Sequence, residues 1–250
     1  YIMRLLTAPM IIGFLTIIPG PSPAISTDGR QVLYFPLVGL FIGGLLYGLD
    51  QLLSLAPYPE IRIVGDVLFM VIISGALHLD GLADTADGLF SHRPREQMLE
   101  IMKDPRIGVM GVLAILFCVL LKLAGVAGLI RAESLIWLAM APALARTALV
   151  IALVFVNHVP SEKTLAETFY QQGKYYLLAL CPLPFAALLY IDGVMALASL
   201  MIFAVLLSGL LLHFRNKIGG ITGDTLGATT EIIETLFLLI GGTSLFYGAL

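Results

Sequence analysis

Long apolar stretches separated by short polar turns run through the whole of this 250-residue chain. A membrane-spanning helix needs about 20 mostly apolar residues. Stretches of that kind fall at 3–18, 33–56, 61–79, 107–130, 134–156, 175–191, 194–213 and 231–249. The pattern predicts an all-α protein, a polytopic transmembrane helical bundle of eight spans forming a single domain over 1–250. The first stretch is the weakest, because Arg4 and Pro9 interrupt it. If it lies in the interface or re-enters, the count falls to seven.

The turns between these stretches carry their own signals. Pro19, Pro21 and Pro23 mark a turn that excludes helix. Gly39, Gly43, Gly44 and Gly48 offer the small-residue spacing at which membrane helices pack closely. The longest polar segment is 91–106, where Pro94 opens a short helix with Glu96, Glu100 and Asp104 on one face. Met98, Leu99 and Met102 occupy the other face, so this helix is expected to be amphipathic and to rest on the membrane surface.

Composition agrees with the pattern. The chain is 59% hydrophobic and only 12% charged, with a mean hydropathy of +0.97, whereas a soluble domain carries about 25% charge. A net charge of −3 does not point to nucleic acid or an anionic surface as the main partner. Cys118 and Cys181 lie in apolar stretches and have neither disulfide nor zinc spacing. No cleavable signal peptide is expected. With eight spans, Arg30, Arg93, Arg95, Lys103, Arg106, Lys163, Lys174, Arg215 and Lys217 fall on one side, against Arg4, Arg62 and Arg131 on the other. The positive-inside rule then puts the 80–88 stretch in the cytoplasm.

That stretch is the first chemical signal. The apolar run 61–77 delivers the chain into His78-Leu-Asp80-Gly-Leu-Ala-Asp84-Thr-Ala-Asp87-Gly88. If the helix continues, spacings of four and seven residues put Asp80, Asp84 and Asp87 on one face. Three like charges on one stripe repel, and a divalent cation with oxygen ligands removes the repulsion. A solvated acidic helix end is the alternative. His78, at the membrane edge, is open between contacting substrate and packing.

A second constellation is Gly219-Gly220-Ile-Thr222-Gly223-Asp224-Thr225-Leu-Gly227, followed by Glu231 and Glu234. Glycines let backbone amides approach a phosphate, and Asp224 is expected to cap the last helix. Lys122 and Arg146 lie inside predicted spans, where charges face the bundle interior or a watery cavity. Each is open between a structural ion pair and a functional contact, which for Arg146 is a phosphate. The polar loop 157–174 is expected to be a connector, and His92 and His213 to be surface or interfacial. Together these groups fit a magnesium ion handling a phosphorylated substrate, since magnesium is held by a few carboxylates plus substrate phosphates. No P-loop, serine–histidine nucleophile or cysteine–histidine metal set is visible.

The 78–88 stretch, Met98-Leu-Glu100-Ile-Met-Lys103-Asp104-Pro-Arg106-Ile-Gly108, Gly223-Asp224-Thr-Leu-Gly227-Ala and Phe35-Pro-Leu-Val-Gly39-Leu resemble, in this order, the cobalamin synthase family. The family is adenosylcobinamide-GDP ribazoletransferase, the cobalamin 5′-phosphate synthase. The resemblance implies a magnesium-dependent, multi-pass inner-membrane enzyme. It would join adenosylcobinamide-GDP to α-ribazole or α-ribazole 5′-phosphate and release GMP. The reaction is analogous to that of the CDP-alcohol phosphotransferases. Asp84-x2-Asp87-Gly88 fits the start of their motif, but Ser91-His92 replaces its Ala-Arg, and Glu100 and Asp104 are out of register. On that analogy Asp80, Asp84, Asp87 and Asp104 are metal ligands, with Glu100 a candidate general base. Thr222, Gly223 and Asp224 hold a phosphate-bound metal or nucleotide, and Arg106 a phosphate. Association with other cobalamin-pathway enzymes or with a second copy is left open.

Two rival readings make different demands. A membrane prenyltransferase needs an asparagine-led Asn-x3-Asp-x3-Asp motif, which this chain lacks. An ion-coupled transporter predicts carboxylates at the bilayer midplane and two pseudo-symmetric halves. Here the aspartates stand at span ends, and no internal repeat is evident.

Overall fold

The computed structural model describes residues 13, 15–19, 29–159, 169–170, 173–191 and 193–242. Among them the chain is all-α. A 3-10 turn, Arg30–Tyr34, leads into α1 (Phe35–Leu53). There follow α2 (Pro59–Ile73), α3 (Leu77–Leu89), α4 (Arg95–Ile101), α5 (Val109–Arg131) and α6 (Ile136–Phe155). After a second 3-10 turn, Tyr175–Leu180, come α7 (Pro182–Ile191), α8 (Gly193–Ile218) and α9 (Gly223–Gly241).

Four described helical stretches are long and apolar enough to cross a membrane: Arg30–Leu53, Val109–Arg131, Ile136–Phe155 and Ala196–Ile218. The pair α2 and α3 makes a fifth if counted as one bent span. Among the described residues this is fewer than the seven or eight expected, and two of the expected spans are broken for a local reason. The expected span 61–79 breaks because Gly75 and Ala76 both adopt left-handed backbone, at φ 60° and 59°, and turn α3 83° away from α2. The amides of Gly75 and Ala76 close the end of α2 on the Ile72 and Val71 carbonyls. The left-handed Ala76 costs roughly 1–2 kcal/mol that glycine would not. The expected span 175–191 is divided, since Pro182 and Pro184 cannot continue the preceding turn. The expected span 231–249 begins earlier, as α9, and its residues 243–249 lie outside the described residues, as does most of 3–18.

Helix α6 is the centre of the bundle, buried over most of its length. Helix α1 lies against it through Gly39, where a Cβ would stand 2.6 Å from the Ala143 Cα, and through Gly43, which touches the backbone of Ala139. Gly44 and Gly48 face open space, so only half of the expected small-residue seam is used. Helix α9 packs on α3, α5 and α6, with Phe237 stacked on Trp137 at 6.1 Å. The short amphipathic α4 turns its apolar side inward. Met98 and Met102 are buried, and Met102 covers Gly88 of α3, while Glu96 and Glu100 are exposed.

A candidate active site between two helix starts

The bend before α3 brings its first turn against the first turn of α9. Helix α9 starts sharply because Thr222 and Thr225 form a reciprocal cap. The Thr225 amide donates to the Thr222 hydroxyl at 3.2 Å, and the Thr222 amide donates to the Thr225 hydroxyl at 2.8 Å. The cap leaves the Gly223 and Asp224 amides at the open end of the helix. Two glycines let the helices meet: Gly81 lies on the Asp224 backbone, and Gly227 lies 3.1 Å from the His78 carbonyl by its notional Cβ. Asp80 is exposed and Asp84 half-buried on α3, and both sit within electrostatic reach of Asp224. Residues 80, 84 and 224, from the two separate sequence motifs, therefore form one carboxylate group.

This group borders a cavity of about 470 Å³. Its walls are apolar, from Leu15, Phe35, Leu149, Leu153, Phe169 and Leu226. Its side-chain polar groups are His78, Asp80 and Asp224, with Gly81, Gly223 and Gly227 beside them. The sequence reading named the polar end and missed the walls. Apolar residues within spans carry no signal for which of them face a cavity.

The remaining acids of the first motif have other partners. Asp87 caps α5: its Oδ2 accepts the Gly108 amide at 2.6 Å and its Oδ1 the Gly111 amide at 2.8 Å. Asp104 is gripped by Arg106, whose Nε and terminal nitrogen donate at 2.9 and 2.6 Å. Those bonds hold the Asp104 carboxyl down at about 2. Glu100 is exposed on α4, and neither it nor Arg106 lines the cavity.

Arg146 and Lys122 take up the structural alternative. Lys122 on α5 donates to Glu234 at 2.6 Å and pairs with Glu231 at 2.8 Å; Arg146 on α6 donates to Glu234 at 2.5 Å. Two cations and two carboxylates make a neutral, buried network, which suits an apolar surrounding. It lies beneath the site, because His78 is buried beside Arg146 and Glu234. A further charged cluster escaped the sequence reading. Arg62 binds both oxygens of buried Asp50, at 2.5 and 2.7 Å, and both oxygens of buried Asp66 lack a donor beside them. The signal was present, since Asp50 and Asp66 are acids inside apolar stretches, where charges are rarely alone.

Among the described residues no three His, Cys, Asp or Glu side chains are grouped so as to hold a metal ion by themselves. The donor chemistry nevertheless fits magnesium, which takes hard oxygen ligands, keeps several waters and uses one or two carboxylates plus substrate phosphates. Asp224 lines the cavity from α9, and Asp84 on α3 lies within its electrostatic reach.

Fold and site together define a multi-helix membrane protein in which a carboxylate group at one end of the bundle borders an apolar cavity. The family of such proteins is identified by comparison. The cobalamin-5-phosphate synthase family matches residues 8–242, and this chain belongs to it. A protein of Alkaliphilus metalliredigens named adenosylcobinamide-GDP ribazoletransferase is 39% identical over 246 residues, covering 94% of this chain and 96% of its own. Proteins with the same name from Desulforamulus reducens and Clostridium novyi are each 37% identical. They cover 93% and 84% of this chain, and 95% and 84% of their own lengths. No solved structure matches the chain.

Proposed function

We propose that this chain is an adenosylcobinamide-GDP ribazoletransferase, moving the cobinamide phosphate group onto α-ribazole or α-ribazole 5′-phosphate with release of GMP. Family membership supports the substrates. The observation that carries the reading is the meeting of Asp80 and Asp224 at the polar end of one cavity, with Asp84 within electrostatic reach of both.

A role for each group follows from its position. The Gly223 amide, at the positive end of α9, attracts the oxygens of the donor's pyrophosphate, while the Asp224 amide supports its own carboxylate. The Thr222 hydroxyl accepts the Thr225 amide and donates to the Asp224 carboxylate, so it holds that helix start in place. A ribose hydroxyl of the acceptor attacks the cobinamide-side phosphorus. Its O–P bond forms as the P–O bond to GMP breaks, and GMP leaves as a phosphate monoester. Asp80, exposed at the cavity edge, takes the hydroxyl proton in place of Glu100, which does not line the cavity. Magnesium held by Asp84, Asp224 and the phosphate oxygens would neutralise the charge developing on the transferred group. Asp87 serves the site indirectly, by tying α3 to the start of α5.

The site is read as cytoplasmic, in an inner membrane. Arg93, Arg95, Lys103, Arg106, Arg215 and Lys217 cluster at the end of the bundle where α5 and α9 begin and α8 finishes, whereas Arg62 and Arg131 stand at the other. That asymmetry supports the orientation. The test is GMP release by the detergent-solubilised protein supplied with adenosylcobinamide-GDP alone, α-ribazole alone, or both. Release only with both, abolished by chelating magnesium, is expected. No release by folded protein with either form of ribazole would overturn the assignment.

A further inference from the structure

The cavity is chemically divided, and the division selects among the parts of the two substrates. Its far walls are the side chains of Leu149 and Leu153 on α6, Leu226 on α9, Leu15, and the rings of Phe35 and Phe169, whose centroids lie 6.0 Å apart. None of these offers a hydrogen bond. At about 470 Å³ the space suits one ligand of about 20 non-hydrogen atoms, well short of a corrin macrocycle. Guanine is also a poor occupant, because its ring edges carry several donors and acceptors that these walls would leave unpaired. A flat bicyclic base without exocyclic polar groups meets no such penalty.

We infer that this cavity seats the apolar aromatic base of the acceptor nucleoside, with its ribose turned toward His78, Asp80 and Asp224. The inference rests on the ribazoletransferase reading and adds to it the subsite of the acceptor and the walls that choose its base. The geometry closes, since the polar end of the cavity is the carboxylate group itself. A base buried among the leucines leaves its sugar hydroxyls beside Asp80, next to the Gly223 amide at the α9 start where the donor's pyrophosphate is drawn. The corrinoid and guanine parts of the donor would then approach from the open side.

The experiment uses two substitutions at the walls. Leu226 is only partly buried, so Leu226→Trp can project into the cavity without rebuilding the core. The expected result is a KM for α-ribazole raised at least 10-fold, with the KM for adenosylcobinamide-GDP changed less than 2-fold. Calorimetric binding of α-ribazole in the absence of donor should weaken in parallel. Leu153→Ala enlarges the same wall and should favour a wider base: the kcat/KM ratio for a naphthimidazole riboside over α-ribazole should rise several-fold. Should Leu226→Trp fail to fold, the Leu153→Ala ratio decides alone. A raised donor KM with unchanged acceptor KM, or an unchanged base preference in Leu153→Ala, would overturn the subsite while active wild-type protein leaves the ribazoletransferase reading standing. Wild-type protein that binds α-ribazole yet releases no GMP would instead fail the reading and keep the subsite.

Discussion

A Cβ placed on Gly81 would stand 2.8 Å from the carbonyl oxygen of Asp224, so α3 and α9 touch backbone to backbone where their acidic residues meet. A side chain at 81 has nowhere to go except by separating the two helices. Gly81→Ala is expected to move Asp80 and Asp84 away from Asp224 and lower GMP release by about 100-fold, the cost of an ångström-scale misplacement. The melting temperature in detergent should fall as well, since overpacking of this kind costs about 1–3 kcal/mol. Retained activity in Gly81→Ala would show that the close approach is incidental.

Asp87 holds the start of α5 with both carboxylate oxygens, at 2.6 and 2.8 Å. Asp87→Asn keeps one acceptor and points an amide N–H₂ at the second backbone donor. A loss of about 1–3 kcal/mol of stability is expected, as for a buried donor left without its acceptor. Thermal unfolding in detergent checks this. An unchanged melting temperature together with weakened magnesium activation would mean that Asp87 acts as a ligand.

Glu234 pairs with both buried cations, Lys122 and Arg146, whereas Glu231 pairs with Lys122. Glu234→Gln leaves their charge under-compensated, and a loss of about 3–5 kcal/mol is expected. Replacing Lys122, Arg146, Glu231 and Glu234 together by apolar residues of similar size should restore most of it. Equal damage in the single and quadruple variants would give the network a role beyond its own neutrality.

The Asp104 carboxyl sits at about 2, first because of its hydrogen bonds from the Arg106 side chain and then its amide. A carboxylate depressed in the folded state favours folding above its ordinary value, and that contribution is lost as pH falls through the folded value. The pair should therefore persist from neutral pH until the pH approaches about 2. Arg106→Gln should return Asp104 toward its usual 3.8. Carboxyl carbon-13 titration of labelled protein reads both.

The apolar stretches made the helical class and the membrane setting legible, and the aspartate and glycine motifs lie on the two sides of the candidate site. What hydrophobicity could not give was the break at Gly75 and Ala76, since a left-handed pair is a backbone event inside an uninterrupted apolar run. The seven-residue spacing correctly put Asp87 on the α3 stripe, yet that position meets the start of α5 instead of the open site. Lys122 and Arg146 stood out as buried charges, but their partners Glu231 and Glu234 lie about a hundred residues away in sequence. Only packing reveals which pairs meet. The cavity walls were silent for the same reason, because Leu149 and Leu153 differ from their neighbours only in where they face.

The most direct measurement is the rate of GMP release by Asp84→Asn beside wild type, at saturating magnesium and both substrates. Asp84 lies half-buried between Asp80 and Asp224, and asparagine keeps its size while removing its charge. A fall of about 100- to 1000-fold with an unchanged melting temperature is expected, the scale of one lost electrostatic stabiliser of a transition state. Release within a few-fold of wild type would contradict the placement of the reaction at this carboxylate group.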